Sequence, residues 1–284
     1  MTKTPIIGFI RYSCRASFTQ KNFFNSEYLD YRLKIFTNVT LKSFQEQTNK
    51  NFSVFLLHSE NLPEKYKLIF SQLENDNLFL HNIYIPDTEL EGSSYINALY
   101  DSINHVEFVN NLSINFRIDN DDAVPENFIE NLNYYLKPEY YNNVISFANI
   151  SIIQRIHKYN YLIQEKYFPS NSMGLAYVTG IDDYKTIMTL GDHGKINQKY
   201  TMILPCATGG IQTINGKNIM NSLYFGNVNS YNAESIKNYL EKRNFPCFDF
   251  TCLGICKRHI VLEILKKTFN YLKKNKKLKN NVGT

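Results

Sequence analysis

The chain has 284 residues, of which 43% are hydrophobic and 20% are charged, a balance typical of a globular protein with one large or two small domains. The formal net charge of +5 comes from residues 266–279, which hold seven lysines and no acid, whereas the other 24 basic residues are outnumbered by 26 acidic ones. Because the folded body lacks a basic excess, this composition argues against a nucleic-acid-binding protein.

Targeting signals are missing from the sequence. No run approaches the roughly 20 apolar residues of a membrane span. The apolar stretch near the N-terminus ends at Arg11 and is too short for a signal peptide. The five cysteines lack the C-x2-C spacing of a zinc site, which favours reduced, buried thiols. We therefore expect a cytoplasmic protein. The lysine-rich tail predicts either a solvated helix end or a peripheral contact with an anionic membrane.

The first 136 residues alternate strands with helices. Short apolar runs and period-two alternation predict strands, and apolar residues at helical spacing predict the helices between them. In chain order these are a strand at 5–11, a helix at 27–47, strands at 52–57 and 77–85 around a helix at 63–73, a helix at 94–106, a strand at 112–119 and a helix from Pro125. This order predicts an α/β fold with a mainly parallel, Rossmann-like sheet flanked by helices.

The second half of the sequence is less regular. Residues 143–154 and 159–168 predict a hairpin of strands, and residues 168–180 and 189–200 predict loops with strand fragments. The stretch TGGIQ at 208–212 predicts a flexible loop and a candidate lid. Helices are predicted again at 233–242 and 255–273. We divide the chain into a donor-binding half at 1–136, an acceptor-side half at 137–230 fused over the same sheet, and C-terminal helices with the basic tail at 231–284.

Three aspartates lie together at the carboxyl end of the fourth predicted strand, at positions 119, 121 and 122. In parallel α/β sheets, ligands bind at this edge. Grouped carboxylates suit Mg²⁺ or Mn²⁺, which are held by one or two such groups together with substrate phosphates. An aspartate-rich turn is the structural alternative. A calcium loop starting at Asp119 is not supported, because its sixth position, where glycine is needed, holds Val124.

At this segment the sequence resembles a known family. RIDNDDAVPENFIENL, residues 117–132, is similar to the D-x-D-D segment of glycosyltransferases with the GT-A fold, and more narrowly to that of the putative rhamnosyltransferase family. Three further segments of this chain resemble the same family in the same order, namely GFIRYSCR at 8–15, the stretch from Tyr31 to His58, and FPSNSMGLAYV at 168–178. The resemblance covers about residues 6–195.

The resemblance implies glycosyl transfer from a nucleotide-diphosphate sugar, with a divalent ion neutralising the leaving diphosphate. By the same resemblance, Asp119 would face the ribose of the donor, and Asp121 and then Asp122 would bind Mn²⁺ or Mg²⁺. His193 would complete the metal site, and an imidazole ligand would favour Mn²⁺. The structural alternative for His193 is a histidine in a surface turn.

A carboxylate base and two arginines complete the set of charged candidates. Inverting transfer needs a carboxylate that takes the proton of the acceptor hydroxyl. Asp192 is favoured because it neighbours His193, Asp182 and Asp183 stay open, and all three also suit turns. Arg11 and Arg117 stand at or near the ends of their strands, where a planar guanidinium suits the phosphates of the donor, or pairs the aspartates structurally.

The resemblance adds two polar candidates. Glu60 follows the second strand, where GT-A enzymes often contact the nucleotide of the donor. Asn171, after Pro169 and Ser170, would lie near the acceptor.

We therefore predict a metal-dependent glycosyltransferase that uses a dTDP-, UDP- or GDP-linked sugar. Its acceptor would be a glycan or lipid-linked molecule in bacterial capsule or lipopolysaccharide synthesis, with inversion at the anomeric carbon. The alternatives are a metal-dependent nucleotidyl- or phosphotransferase, which no glycine-rich phosphate motif supports, and an inactive protein that binds nucleotide sugars or glycans.

Overall fold

The computed structural model describes residues 3–13, 24–86, 97, 99–215 and 228–255. Within these ranges no helix combines the length and the apolarity that crossing a bilayer requires. The lysine-rich tail and all of the predicted helix at 255–273 except Ile255 lie outside the described residues, as do residues 94–96 and 98 of the predicted helix at 94–106.

The predicted α/β sheet is confirmed. Strand β1 (Ile6–Arg11) pairs in parallel with β2 (Ser53–Ser59) on one side and with β4 (Leu112–Asp119), the central strand of the seven, on the other. Strand β3 (Leu80–Ile85) pairs in parallel with β2 and forms one edge. Strands β1 and β2 are buried on both faces, which explains their nearly continuous apolar sequences.

Three strands of the second half extend this sheet beyond β4. Strand β8 (Leu175–Gly180) runs antiparallel to β4, and the short strands β5 (Val144–Ile145) and β9 (Met202–Ile203) follow it. The prediction of loops with strand fragments at 168–180 is confirmed, because an irregular segment at 168–174 leads into β8, all of whose residues are buried.

A second sheet, which was not predicted, has four strands in the order β10-β6-β7-β11. Strands β6 (Asn149–His157) and β7 (Asn160–Tyr167) form the predicted hairpin. Strand β10 (Thr208–Ile214) pairs in parallel with β6, and β11 (Asn229–Asn232) pairs with β7. The prediction of a flexible loop at 208–212 is wrong, because these residues belong to β10.

The helices cover the large sheet and one face of the small sheet. The predicted helix at 27–47 is found as α1 (Ser26–Ile35), a π-helical segment (Phe36–Leu41) and α2 (Lys42–Gln45). The others are α3 (Glu64–Asp76), α4 (Phe128–Asn133) and α5 (Ala233–Glu241). Short 3₁₀ helices lie at Ser102–His105, Pro138–Tyr140, His193–Gln198 and Phe250–Cys252.

Aromatic rings fill the core between the large sheet and its helices. The ring of Phe116 on β4 stacks on Phe44 of α2 at 5.8 Å between centroids and meets Phe128 of α4 edge-on at 5.1 Å. Gly8 on the neighbouring strand makes room for this ring, since a Cβ there would lie 2.4 Å from it. Truncating such a buried phenylalanine costs about 3–5 kcal/mol.

Candidate functional site

The candidate site lies at the edge where β1 and β4 end. The register of the two strands pairs Arg11 with Asp119, the last residue of each. Arg117 precedes Asp119 by two residues and therefore shares its face of the strand. The Nη2 atom of Arg117 lies 3.7 Å from the Oδ1 atom of Asp119. The fold thus brings together three of the predicted donor-binding residues.

Asp119 is the exposed member of the three aspartates, with 42% of its side chain accessible. Its Oδ2 atom accepts a hydrogen bond of 3.0 Å from the hydroxyl of Ser172. Burial acts to raise the pKa of Asp119, but Arg117, Arg11 and the Ser172 hydroxyl outweigh it and leave this pKa below its ordinary value. Asp119 is therefore an ionised carboxylate that a ligand can reach.

Asp121 has a different environment. It is buried, and its Oδ2 atom accepts hydrogen bonds from Arg32 Nη1 on α1 at 2.8 Å and from Asn215 Nδ2 at 2.9 Å. The hydroxyl of Thr213 donates to the backbone oxygen of Asp121 at 2.6 Å. The Arg32–Asp121 ion pair thus joins α1 to the segment that follows β4, and Asn215 ties both to the end of β10.

Asp122 is buried as well, and its Oδ1 atom accepts a hydrogen bond from the backbone nitrogen of Thr213 at 3.1 Å. Burial, together with the negative charges of Asp121 and Asp119, raises the pKa of Asp122 well above its ordinary value. The three aspartates therefore do not act as one group of equivalent carboxylates.

These environments do not fit the predicted metal site of Asp121, Asp122 and His193. One oxygen of Asp121 is held by a cation and an amide, and the pKa of Asp122 is raised by burial and by two neighbouring negative charges, whereas a metal ligand must give up its proton. Across the described part of the chain, no three His, Cys, Asp or Glu side chains come close enough together to hold a metal ion. Arg32 supplies the positive charge beside Asp121 for which the sequence predicted a metal.

His193 lies near the exposed aspartate rather than near the buried pair. Burial and the positive charge of Arg117 lower the pKa of its imidazole, while Asp119 and Asp192 act in the opposite direction. His193 is therefore neutral at pH 7. Asp192 precedes the 3₁₀ helix, and its Oδ1 atom accepts a hydrogen bond from Gly194 N at 3.0 Å and lies 3.8 Å from His193 Nδ1.

The two other candidates for the catalytic base lie at the wrong end of the sheet. Strand β8 runs antiparallel to β4, so that its last residue, Gly180, pairs with Leu112 at the start of β4. Asp182 and Asp183 follow Gly180, and an eight-residue strand separates that edge from Asp119 by about 23 Å. The structure leaves Asp192 as the carboxylate beside His193.

Glu60 and Asn171 differ in accessibility. Glu60 is exposed directly after β2, at the same edge of the sheet as Asp119. Asn171 is buried, and its amide nitrogen donates to the backbone oxygens of Phe147 and Phe168 while its oxygen accepts from Met173 N. This geometry shapes the turn that carries Ser172 to Asp119, and contact with an acceptor stays a prediction.

Sequence reasoning missed the partners of the buried aspartates. Arg32 follows Leu29 by three residues and precedes Phe36 by four, so it lies on the buried stripe of its helix. An arginine on such a stripe indicates a buried partner, and this was the available signal. Thr213 and Asn215 gave none, because they follow the predicted loop at 208–212 in a stretch to which no element was assigned.

Comparisons with known proteins place the chain in a family. A family model described as "Putative rhamnosyl transferase" matches residues 7–224. No curated protein matches the chain. Solved structures of S. aureus TarS 1-349, alone and in complex with UDP-GlcNAc, are similar with TM-scores of 0.42 and 0.44 at 9% and 10% identity. The alignments cover 75% and 79% of this chain but 60% and 62% of TarS 1-349, so the chain spans about three fifths of that length.

Proposed function

Because the chain belongs to the family described as "Putative rhamnosyl transferase", we propose that it is a glycosyltransferase that moves a sugar from a nucleotide-diphosphate donor to a glycan or lipid-linked acceptor. The observation that carries this proposal is the ionised, accessible carboxylate of Asp119 between Arg11 and Arg117 at the carboxyl edge of a parallel sheet. Ligands of such sheets bind at this edge.

The charges at this edge suit a diphosphate leaving group. Its negative charge grows as the bond to the sugar breaks, and the guanidinium groups of Arg11 and Arg117 stabilise that charge. The carboxylate of Asp119 accepts hydrogen bonds from the ribose hydroxyls of the donor. When a diphosphate binds Arg11 and Arg117, their contacts with Asp119 weaken. The carboxylate of Asp119 is then available to accept hydrogen bonds from the ribose.

We assign proton removal from the acceptor hydroxyl to Asp192. Its carboxylate stands beside the imidazole of His193, on which the charge of Asp119 also acts. The side chain is 61% exposed, so an acceptor can reach it. A carboxylate base on the face opposite the leaving group would give inversion at the anomeric carbon.

A divalent ion, if bound, would neutralise the diphosphate further, but no step of this proposal requires it. Asp119 and His193 are the accessible groups that would hold Mn²⁺ or Mg²⁺ with the phosphates of the donor. The metal requirement predicted from the sequence is tested by the titration below.

The cellular setting extends this proposal. We place the enzyme in the bacterial cytoplasm, where dTDP-, UDP- or GDP-linked sugars serve capsule or lipopolysaccharide synthesis. The seven lysines of residues 266–279 would hold it at an anionic membrane. Deleting residues 266–284 is expected to abolish binding to vesicles that contain phosphatidylserine, and unchanged vesicle binding would refute this role.

The proposal is tested by calorimetric titration of UDP, GDP, dTDP and CDP with and without Mn²⁺. We expect one nucleotide to bind, and Asp119→Asn to weaken its affinity about tenfold through the loss of a charged hydrogen-bond acceptor. Asp182→Asn is the matched control, because it makes the same change at the opposite edge of the sheet. Failure of all four nucleotides to bind, or equal affinities of the two variants, would contradict the donor site.

Product analysis separates the remaining classes of protein. A glycosyltransferase releases the nucleoside diphosphate and slowly hydrolyses its donor without an acceptor. With a nucleoside triphosphate as the substrate, release of pyrophosphate would indicate a nucleotidyltransferase, and a phosphorylated acceptor would indicate a phosphotransferase. Binding without any turnover would indicate an inactive nucleotide-sugar-binding protein.

A further inference from the structure

A cavity of about 870 Å³ lies between the small sheet and α5. It is remote from the aspartates. Thr208, the first residue of β10, lines the cavity, whereas Thr213 and Asn215 at the other end of the strand hold Asp122 and Asp121. Five residues of strand separate Thr208 from Thr213 by about 16 Å. None of the residues assigned to donor binding or catalysis lines this cavity.

The cavity has a positive charge. Its lining contains Lys166, Lys242 and Arg243 but a single acid, Glu165. Arg243 forms a salt bridge with Glu165, and its guanidinium lies 5.1 Å from the centre of the Tyr239 ring. Because Glu165 is neutralised by Arg243, the two lysines set the sign of the field, which attracts an anionic group.

The rest of the lining is mostly polar. Asn149 and Asn238 offer amides, Ser235 offers a hydroxyl, and Tyr167 and Tyr231 offer both ring faces and hydroxyls. Tyr167 is 61% exposed. Such groups pair with the many hydroxyls of a sugar, while an aromatic face covers its C–H side. Ile150 is the sole aliphatic side chain of the lining, so its apolar surface comes mainly from the tyrosine rings.

We propose that this cavity binds an anionic saccharide, that is, a sugar chain that carries carboxylate or phosphate groups. The lysines hold the anionic groups, and the amides and tyrosines hold the sugar rings. The volume accommodates one to a few sugar rings, since ligand pockets of about 300–1,000 Å³ hold molecules of that size. The proposal does not depend on glycosyl transfer, because the site lies apart from the edge that carries Asp119.

The test is calorimetric titration of the full chain at low ionic strength with two tetrasaccharides of equal length. Tetragalacturonate carries carboxylates and maltotetraose is neutral. We expect tetragalacturonate to bind about tenfold more tightly, and Lys242→Glu to remove this advantage. Lys237→Glu is the matched control, because Lys237 is exposed on the same helix but does not line the cavity.

Tyr167→Ala tests the contribution of the aromatic face. We expect it to weaken tetragalacturonate binding about fivefold, whereas Tyr159→Ala, at an exposed tyrosine of the same hairpin outside the cavity, leaves it unchanged. Equal binding of tetragalacturonate to the wild type and Lys242→Glu would overturn the proposal. Pyrophosphate binding as tightly as tetragalacturonate, or UDP competing for the same site, would overturn the saccharide assignment.

Nucleotide binding provides an independent readout. Lys242→Glu and Tyr167→Ala are expected to bind nucleoside diphosphates as the wild type does. Loss of the saccharide site and loss of the donor site are therefore distinguishable.

Discussion

Asp119 and the pair formed by Asp121 and Asp122 belong to one tetrapeptide but lie in two different environments. Asp119 ends β4, is partly exposed, and faces two arginines and the Ser172 hydroxyl. Asp121 and Asp122 are buried, and all the hydrogen bonds described for their carboxylates come from Arg32, Asn215 and Thr213. One acidic motif therefore carries both an accessible carboxylate, Asp119, and a buried pair with a structural role.

The buried pair joins the two sheets. Ala123, the next residue, exchanges backbone hydrogen bonds of 3.0 and 2.8 Å with Ile211 of β10, beside the contacts made by Thr213 and Asn215. The acidic segment of the large sheet is thus fixed to a strand of the small sheet. These contacts with β10 fix the backbone that follows Asp119 and so help to position its side chain.

The largest expected effect comes from removing Asp121. Asp121→Ala leaves the buried guanidinium of Arg32 without its anion, which costs about 3–5 kcal/mol of unfolding free energy. The same change at Asp119, which is exposed, is expected to cost about 1 kcal/mol or less. Urea unfolding of both variants measures the difference. Equal losses of unfolding free energy would contradict the structural role of Asp121 as distinct from Asp119.

A double variant separates the charge from the packing. Arg32→Met combined with Asp121→Leu replaces the buried ion pair with apolar side chains and is expected to recover most of the stability that Asp121→Ala loses. A double variant as unstable as Asp121→Ala would show that the hydrogen bonds to Asn215 and Arg32, rather than the unpaired charge, determine stability here.

A smaller effect is expected at Ser172. Its hydroxyl is the neutral hydrogen-bond donor to Asp119, and Ser172→Ala removes a bond worth about 1 kcal/mol. Nucleotide affinity should fall about fivefold because Asp119 loses the bond that orients it, and the unfolding free energy should fall by about 1 kcal/mol or less. Ser170→Ala in the same turn is the control for titration and unfolding. A large loss of stability would instead make Ser172 part of the structural group.

The smallest effect at low pH is expected for Asp122→Asn, which mimics the protonated carboxyl. Since the pKa of Asp122 is raised in the folded chain, its stabilising contribution is complete below the ordinary aspartate pKa and is lost as the pH rises through the raised value. The variant and the wild type should melt within about 2 °C of each other at pH 4, and the variant should melt higher at pH 8. A difference in melting temperature that stays constant between pH 4 and pH 8 would contradict the raised pKa of Asp122.

The large sheet was predictable because its signals are local. Strand β4 alternates over its whole length, and the predicted range 112–119 is the observed one. Strands β1 and β2 are apolar runs between polar turns, and the helices between them have regular apolar spacing. The position of Asp119 at the carboxyl edge, and its proximity to Arg11, follow from parallel pairing alone.

The small sheet and the separate environments of the aspartates depend on contacts between distant parts of the chain, which no local pattern reveals. Gly209 and Gly210 indicated a loop, yet β10 needs them because a Cβ would lie 2.3 Å from the Phe147 oxygen at Gly209 and 2.8 Å from the Ala123 oxygen at Gly210. The carboxylates of Asp119 and Asp121 look equivalent in sequence, and the burial of Arg32 distinguishes them. The metal site was predicted from the grouping of the three carboxylates and from the family resemblance, and neither reveals that Arg32 pairs with Asp121.

The ion pair and amide bond at Asp121 have a consequence for folding during synthesis. Arg32 precedes Asp121 by 89 residues, and Asn215 follows it by 94. At about 5–20 residues per second, a ribosome needs about 5–20 s to add the stretch between Asp121 and Asn215. During that interval the nascent chain has Arg32 and Asp121 but neither β10 nor Asn215, so the edge that carries Asp119 gains its support from the small sheet only after Asn215 has been added.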